Sequence, residues 1–191
     1  MEKNTINYDN EIELIKKKYR NLIAKAINTM KGINDSVHGL AHVENVVANT
    51  IEILKEENDA DKDVCILSAY WHDVGRVHGK EAHGVKSAEM LKSELFNNNY
   101  DEEFIEKCYK AIYKHDTKEV PETLEGIIVK DADKIDAVGV ERWKACVESN
   151  QRLPRIFPNL RENMIIRESS KKMYDKNAKK LIEYLSKTIL N

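Results

Sequence analysis

The sequence has little glycine and proline. It contains 7 glycines and 3 prolines in 191 residues, and scarcity of the two residues that most often interrupt helices favours long helices with few turns. No apolar run approaches the roughly 18 residues of a membrane-spanning helix, and the first residues lack the apolar segment of a signal peptide. We therefore expect a cytoplasmic protein that does not enter a membrane.

The sequence also has few cysteines and a small net charge. The three cysteines (Cys65, Cys108 and Cys146) lie among apolar neighbours, which is typical of core residues in a reduced protein and not of a disulfide framework. The 31 basic and 33 acidic residues leave a net charge of −2, so no overall field favours nucleic acid as a partner. The length fits one domain, residues 1–191, with a core of its own.

Apolar residues recur with a helical period along most of the chain. This pattern predicts a helix over 10–30 with Asn10 as its cap, and further helices from His38 to Leu54, over 64–71, over 82–96, from the cap Asp101 to His115, from Pro121 to Gly139, and from about Ser170 onward. Trp143, Cys146 and Val147 continue a helical pattern after Gly139. The prolines at 154 and 158 indicate a loop over 153–158. We find no convincing strand, and the sequence predicts an all-α helical bundle.

The segment 69–76, Ala-Tyr-Trp-His-Asp-Val-Gly-Arg, carries the strongest chemical signal. An apolar run ends there in His72 and Asp73, which are poor choices for a buried position unless their desolvation is compensated. A divalent cation compensates it, because neutral imidazole and carboxylate are both good ligands. The alternative is a helix C-terminus at which a solvated His-Asp pair precedes the Gly75 cap.

Four other polar residues also occur where the surrounding sequence is apolar. His42, His83, His115 and Asp133 lie on or beside apolar helices. Each by itself is more often a satisfied polar residue than a metal ligand. Together they occupy different helices, and metal sites in bundles are built from inward side chains on facing helices.

These residues resemble a known motif. His42 within 38–46, His72-Asp73 within 72–76, and Asp133 within 131–137 resemble the H…HD…D motif of the HD-domain superfamily of metal-dependent phosphohydrolases, over roughly residues 36–140. The resemblance is strongest to small stand-alone HD proteins, several of which act on nucleotides. It implies an all-α bundle in which helices from 141–191 pack on the motif-bearing core.

The resemblance also implies the cofactor and substrate. His42, His72, Asp73 and Asp133 would hold a divalent ion (Mn, Fe, Ni, Co, Mg or Zn), and the substrate would be a small phosphorylated metabolite, with a nucleotide expected. Asn45 stands where many members have Arg, which removes a cation near the metal. The lack of a His-His pair and of a Gly-Tyr-Pro segment weighs against the cyclic-dinucleotide phosphodiesterase branch.

The chemistry of such a site assigns roles to neighbouring residues. A bound divalent ion lowers the pKa of water and polarises a phosphoryl oxygen, while Arg76 and Lys134 could neutralise developing charge. The alternative for both cations is simple solvation. His38 is either a supporting or substrate-contacting group or a plain helix-start histidine. Asp136 could orient a ligand or simply pair with a cation.

Two questions about the ligands stay open. Asp131 and Asp133 point about 200° apart on a helix, and periodicity allows either one to face the core. The resemblance assigns Asp133 to the metal and leaves Asp131 as a supporting or capping residue.

The second question is the number of ions. The preferred model has one tightly held ion, with His83 and His115 lining the substrate pocket or meeting a weak second ion. Two full sites about 3.5–4 Å apart, with Asp73 bridging, are the alternative. His78 is a weaker candidate.

Two other functional classes remain open as well. One is a non-catalytic metal- and nucleotide-binding sensor or scaffold with the same fold. The other is a structural bundle that binds no metal.

Overall fold

The computed structural model describes residues 8–150 and 159–189, and every regular element within those ranges is helical. The prediction of an all-α fold is therefore confirmed. The α-helices are α1 (Tyr8–Lys18), α2 (Arg20–Lys31), α3 (Leu40–Ile53), α4 (Lys62–Trp71), α5 (His83–Asn97), α6 (Glu102–Ile112), α7 (Leu124–Asp136), α8 (Val140–Glu148), α9 (Asn159–Met164) and α10 (Glu168–Ile189). A 3₁₀ helix, Val74–His78, follows α4. None of the described helices is both long enough and apolar enough to span a membrane.

Three helices that frame the site begin at side-chain caps. Asp61 accepts a hydrogen bond from the Val64 amide, Asp101 from the Phe104 amide, and Thr123 from the Gly126 amide. Each cap satisfies an amide that has no partner within its helix. The caps therefore fix where α4, α6 and α7 start.

Helix α4 lies at the centre of the bundle. Its residues from Val64 to Ala69 are all buried, as is Trp71, and the helix contacts α1, α2, α3, α6 and α7. A helix that is apolar around its whole circumference is one that neighbours surround. The C-terminal end of α4, where His72 and Asp73 follow, consequently lies inside the protein.

Helix α7 joins the centre of the bundle to its C-terminal part. It packs on α3, α4 and α6 on one side and contacts α9 and α10 on the other. The start of α10 is held by Arg167 and Ser169, which both donate hydrogen bonds to the Glu57 carboxylate. Residues on opposite faces of α7 therefore meet different surroundings.

The predicted helix over 10–30 is wrong in two respects. Tyr19 interrupts it with φ −101° and ψ 18°, so that two helices form, and Asn10 lies within α1 instead of capping it. The Tyr19 hydroxyl donates to Asp63 Oδ2 at 2.7 Å and its ring stacks on Phe104 at 5.6 Å. These contacts with α4 and α6 accompany the change of helix direction at Tyr19.

Several predicted helix ends also shift. His38 precedes α3, which begins after Gly39, and His115 follows the end of α6. Helix α7 starts after Thr123 and not at Pro121, because the threonine side chain supplies the cap. Helix α9 was not predicted, and the loop predicted over 153–158 lies outside the described residues.

Candidate metal centre

Four sequence-predicted ligands converge at the buried end of α4. His42 lies in the first turn of α3, His72 and Asp73 directly follow α4, and Asp133 lies on α7. His42 Nε2 is 3.2 Å from His72 Nε2, 3.5 Å from Asp73 Oδ2 and 3.3 Å from Asp133 Oδ1. His72 Nε2 is 3.9 Å from Asp73 Oδ2. One small cluster of potential ligand atoms thus joins three helices.

These separations fit a bound metal ion. Nitrogen and oxygen ligands lie about 2.0–2.2 Å from a transition-metal ion, so ligand atoms around one ion are about 3–4.4 Å apart. All four distances fall within that range. The mixture of imidazole and carboxylate suits Zn²⁺, Mn²⁺, Fe²⁺, Co²⁺ or Ni²⁺.

The outer nitrogens of His42 and His72 are already engaged. His42 Nδ1 lies 2.7 Å from Asp136 Oδ2, and His72 Nδ1 lies 2.8 Å from the Ala69 carbonyl oxygen. Both partners are acceptors, so each Nδ1 carries a proton and donates. In the neutral rings both Nε2 atoms then present lone pairs toward each other. A shared cation relieves that repulsion, which is the usual arrangement of metal-bound histidine.

Burial and neighbouring charge shift the pKa values of His42 and His72 in opposite directions. Burial lowers the pKa of His42, but hydrogen bonds with Asp133 and Asp136 outweigh it and raise the pKa to about 9. Burial lowers the pKa of His72 to about 3. A proton on His42 and a metal ion therefore compete for the same space.

Asp73 lies between this cluster and two further histidines. Its Oδ2 accepts a hydrogen bond from Arg76 Nε. Its Oδ1 is buried without a hydrogen-bond partner among the described residues, although His83 Nε2 lies 3.1 Å away and His115 Nε2 3.5 Å away. Burial opposes ionisation of Asp73, yet the surrounding histidines hold its pKa well below its usual range.

His83 and His115 are also oriented for ligation. His115 Nδ1 donates to the Ile112 carbonyl oxygen at 2.9 Å, and its Nε2 is a second buried atom without a partner among the described residues. His83 Nδ1 lies 2.9 Å from the Lys80 carbonyl oxygen and 3.2 Å from Asp116 Oδ2. His72, Asp73 and His115 form a second group whose ligand atoms lie within 4.8 Å of one another. Unpartnered buried ligand atoms are what a metal site is expected to leave in a protein without the ion.

The two aspartates of the 131–133 segment face different surroundings. Asp133 lies beside His42 and accepts a hydrogen bond from Lys134. The Asp131 carboxylate accepts hydrogen bonds from the backbone amides of Ile166 and Arg167, each at 2.9 Å. Asp131 therefore anchors the segment before α10 and lies away from the candidate ligands.

A cleft of about 320 Å³ opens beside the candidate ligands. Its lining combines three cations with two histidines and two carboxylates, namely Arg76, Lys134, Arg142, His38, His83, Asp116 and Asp133. The exposed His78 is not among the lining residues. The cleft thus offers positive charge next to the cluster, as an anionic ligand requires.

Sequence reasoning assigned no role to three residues of this region. Asp116 contacts His83, and Arg142 lies 3.5 Å from Asp136 and donates to the Val37 carbonyl oxygen. Lys130 is buried and donates to the carbonyl oxygens of Thr117 and Glu119. The His115-Asp116 dipeptide was a visible signal for Asp116, whereas the contacts of Arg142 and Lys130 depend on tertiary packing.

Known proteins share this architecture. The family model of the HD domain matches residues 39–138. A predicted HD superfamily hydrolase from an uncultured Thermotogales bacterium is 26% identical over 90% of this chain and 91% of its own, with a TM-score of 0.73.

More distant structures share the fold. Bacillus subtilis YpgQ, solved in complex with ADP, is 16% identical over 91% of this chain and 94% of its own, with a TM-score of 0.67. A protein from Lactobacillus plantarum is also 16% identical, over 92% and 96% of the two chains, with a TM-score of 0.66. No curated protein sequence matches the chain significantly.

Proposed function

The chain belongs to the HD-domain family, and from this premise we propose that it is a metal-dependent phosphohydrolase. Its substrate is a small phosphorylated metabolite, with a nucleotide expected, and the scissile bond is a phosphomonoester or pyrophosphate bond. The observation that carries this proposal is the convergence of His42, His72, Asp73 and Asp133 at 3.2–3.9 Å.

These four residues would hold the ion. A bound divalent ion supplies hydroxide at neutral pH and polarises a phosphoryl oxygen. Asp136 and the Ala69 carbonyl oxygen fix the rings of His42 and His72, so their Nε2 atoms are oriented before the ion binds. Such outer partners stabilise metal sites by holding the ligand geometry.

The chain's own charges then serve the phosphoryl group. Arg76 and Lys134 line the cleft and lie against Asp73 and Asp133. In that position they offset negative charge that develops on a phosphoryl oxygen during hydrolysis. Asp73 Oδ1 and His115 Nε2 remain as acceptors that can hold a proton of water at the edge of the cluster. His83 Nε2 lies 3.1 Å from Asp73 Oδ1 and accepts a hydrogen bond from Arg76 Nη2 at 3.2 Å.

Three observations support a small nucleotide as the substrate. The volume of the cleft, about 320 Å³, lies at the lower end of ligand pockets, and its three cations favour a phosphorylated ligand. A structure of similar fold, B. subtilis YpgQ, was solved with ADP bound.

A screen of phosphate esters tests the proposal. Nucleoside mono-, di- and triphosphates and p-nitrophenyl phosphate are incubated with Mn²⁺, Mg²⁺, Ni²⁺ or Co²⁺. We expect turnover that a chelator abolishes and that His72→Ala and Asp73→Ala lose, whereas the exposed His78→Ala serves as the matched control. Turnover that survives both ligand substitutions would contradict the proposal.

Measurements of metal and nucleotide binding on the same protein distinguish the other two functional classes. A sensor or scaffold would bind metal and nucleotide without turnover, and a structural bundle would contain no metal after purification without a chelator. Metal analysis and calorimetric nucleotide titration distinguish these two outcomes from an enzyme.

Metal analysis also tests the number of ions. We propose one tightly held ion, with His83 and His115 facing the substrate or a weak second ion. One equivalent of metal that His115→Ala retains, together with loss of turnover, would support this model. Two equivalents, one of which His115→Ala loses, would contradict it.

A further inference from the structure

The turn before α3 places one more histidine in the cleft. His38 lines the cleft together with Arg76 and Lys134, and its ring packs edge-on against that of His42 with centroids 6.1 Å apart. It lies four residues before His42, outside the helix. The proposed metal chemistry assigns no role to it.

Asp35 fixes both the turn and the ring. Its Oδ1 accepts hydrogen bonds from the amides of Val37 and His38 at 2.9 and 3.1 Å. Its Oδ2 lies 3.0 Å from His38 Nδ1. One carboxylate therefore holds the backbone and the side chain of the same turn.

Two further contacts tighten the turn. A Cβ atom at Gly39 would lie only 2.6 Å from the Asp35 carbonyl oxygen, so the close approach requires glycine at position 39. From the other side, Arg142 on α8 donates to the Val37 carbonyl oxygen. The position of His38 is thus set by contacts from both the turn and α8.

These contacts also determine which hydrogen bonds His38 can make. A carboxylate only accepts, so Nδ1 carries the proton and donates to Asp35. Because Nδ1 is occupied by this contact with Asp35, Nε2 is the nitrogen left for a ligand of the cleft. In a neutral ring with its proton on Nδ1, Nε2 carries a lone pair and can only accept.

We propose that His38 is a specificity-determining residue whose Nε2 accepts a hydrogen bond from a sugar hydroxyl of the substrate. The proposal rests on the function proposed above and names the substrate group beside the phosphoryl group. A phosphoryl oxygen cannot fill this role, because it is itself an acceptor. The cations of the cleft bind the phosphoryl group, while His38 binds the nearest donor, which in a nucleotide is a ribose hydroxyl.

Discrimination against substrates that lack the hydroxyl follows from this arrangement. A site built around a substrate hydroxyl rejects the analogue without it, because a polar group is left unpaired. We expect either the 2′-deoxy or the 3′-deoxy analogue of the preferred nucleotide to have a kcat/KM about tenfold or more below that of the ribonucleotide.

The test compares this ratio between variants. In His38→Ala the ratio of kcat/KM between ribonucleotide and deoxy analogue should fall to about one, since the acceptor is gone. In His38→Gln, whose amide oxygen is still an acceptor, part of the ratio should return. His78→Ala should keep the ratio of the wild-type protein, because His78 is exposed outside the cleft.

A spectroscopic measurement supplies a readout apart from activity. Nitrogen-15 NMR of the imidazole should show the proton on Nδ1 of His38, and Asp35→Asn should increase the fraction with the proton on Nε2. A wild-type ring protonated on Nε2 contradicts the proposal, because no lone pair would then face the substrate.

The possible failures are distinguishable. Equal kcat/KM for all analogues in the wild-type protein, or an equal loss on all of them in His38→Ala, overturns the role of His38 and leaves the proposed phosphohydrolase intact. Without turnover, the same ratios are measured as Kd by calorimetry and decide the proposal in the same way. Absence of both turnover and nucleotide binding contradicts the proposed function and the role of His38 with it.

Discussion

The two faces of α7 place their carboxylates in different surroundings. On the face toward the C-terminal helices, Asp131 accepts two backbone amides at 2.9 Å. On the face toward α3 and α4, Asp133 meets His42 and Lys134 beside an open cleft. Burial raises the pKa of Asp131, whereas Lys134 and His42 overcome the same effect and hold the pKa of Asp133 well below its usual range.

The contrast extends beyond the two aspartates. Buried Lys130 donates to two carbonyl oxygens, while Asp73 Oδ1 and His115 Nε2 find no hydrogen-bond partner among the described residues. Folded proteins normally satisfy their buried polar atoms. The paired groups Asp131 and Lys130 therefore stabilise the fold, whereas the unpartnered atoms of Asp73 and His115 lie at the candidate site.

The largest expected effect comes from exchanging the two aspartates for asparagine. Asp133→Asn should lose bound metal and reduce kcat/KM by more than the roughly 10–100-fold that loss of a supporting partner costs. Asp131→Asn should retain metal but lower the free energy of unfolding by about 2 kcal/mol, because an amide cannot accept from both backbone N–H groups as a carboxylate does. Metal analysis and urea unfolding of both variants measure the two effects. Metal loss in Asp131→Asn alone would reverse the assignment.

A smaller effect on the same face of α7 is expected from Asp136→Asn. Asp136 orients His42 through the 2.7 Å contact with its Nδ1, so the variant should bind metal about 10–100-fold more weakly. Competition with a coloured chelator measures the affinity. An unchanged affinity would show that His42 keeps its orientation without Asp136, and Asp131→Asn provides the control on the opposite face.

Two lysines on α7 sharpen the comparison further. Lys130→Met should lower the free energy of unfolding by about 1–3 kcal/mol, because two carbonyl oxygens lose a charged donor. Lys134→Met should leave stability nearly unchanged but reduce turnover, since Lys134 lines the cleft. Urea unfolding and kcat/KM of both variants check the contrast. Equal stability losses would show that the pairing of Lys130 contributes no more than that of Lys134.

The smallest expected effect is a pH dependence of the free energy of unfolding, which arises where Glu57 holds the start of α10. Hydrogen bonds from Arg167 and Ser169 hold the pKa of Glu57 below its usual value, although burial opposes them. Because the pKa is lowered by folding, the stabilisation is present above the unfolded pKa and is lost as pH falls through the folded pKa. Arg167 is partly exposed, so Glu57→Gln should cost about 1 kcal/mol at pH 7.

Urea unfolding at several pH values measures this prediction. The difference in free energy of unfolding between wild-type protein and Glu57→Gln should shrink as pH falls below about 4. A difference that does not depend on pH would show that the cost comes from packing and not from ionisation.

Local patterns predicted much of the fold. The apolar period gave the helices around α3 to α8, and Asp101 was correctly predicted as a cap. The break at Tyr19 was missed, because it accompanies a contact with Asp63, 44 residues further along the chain, that periodicity does not contain. The predicted helices included His38 and His115, but α3 begins after His38 and α6 ends before His115. Helix ends depend on caps and distant contacts, which periodicity does not contain.

The sequence by itself determined the all-α class of the fold. It also indicated which polar residues lie at apolar positions, where a buried polar group needs a partner. The resemblance of three short segments to the HD motif added the family, which the match over residues 39–138 confirms. The metal roles of the named residues remain predictions.

Only the tertiary structure decided which of those residues meet. Periodicity shows that Asp131 and Asp133 point in different directions, but not which direction faces the histidines. That choice follows from Ile166 and Arg167, whose amides lie on one side of α7, and from His42, which lies on the other. A helix sets the relative orientation of its side chains, and only the packing of distant segments around it sets what each of them contacts.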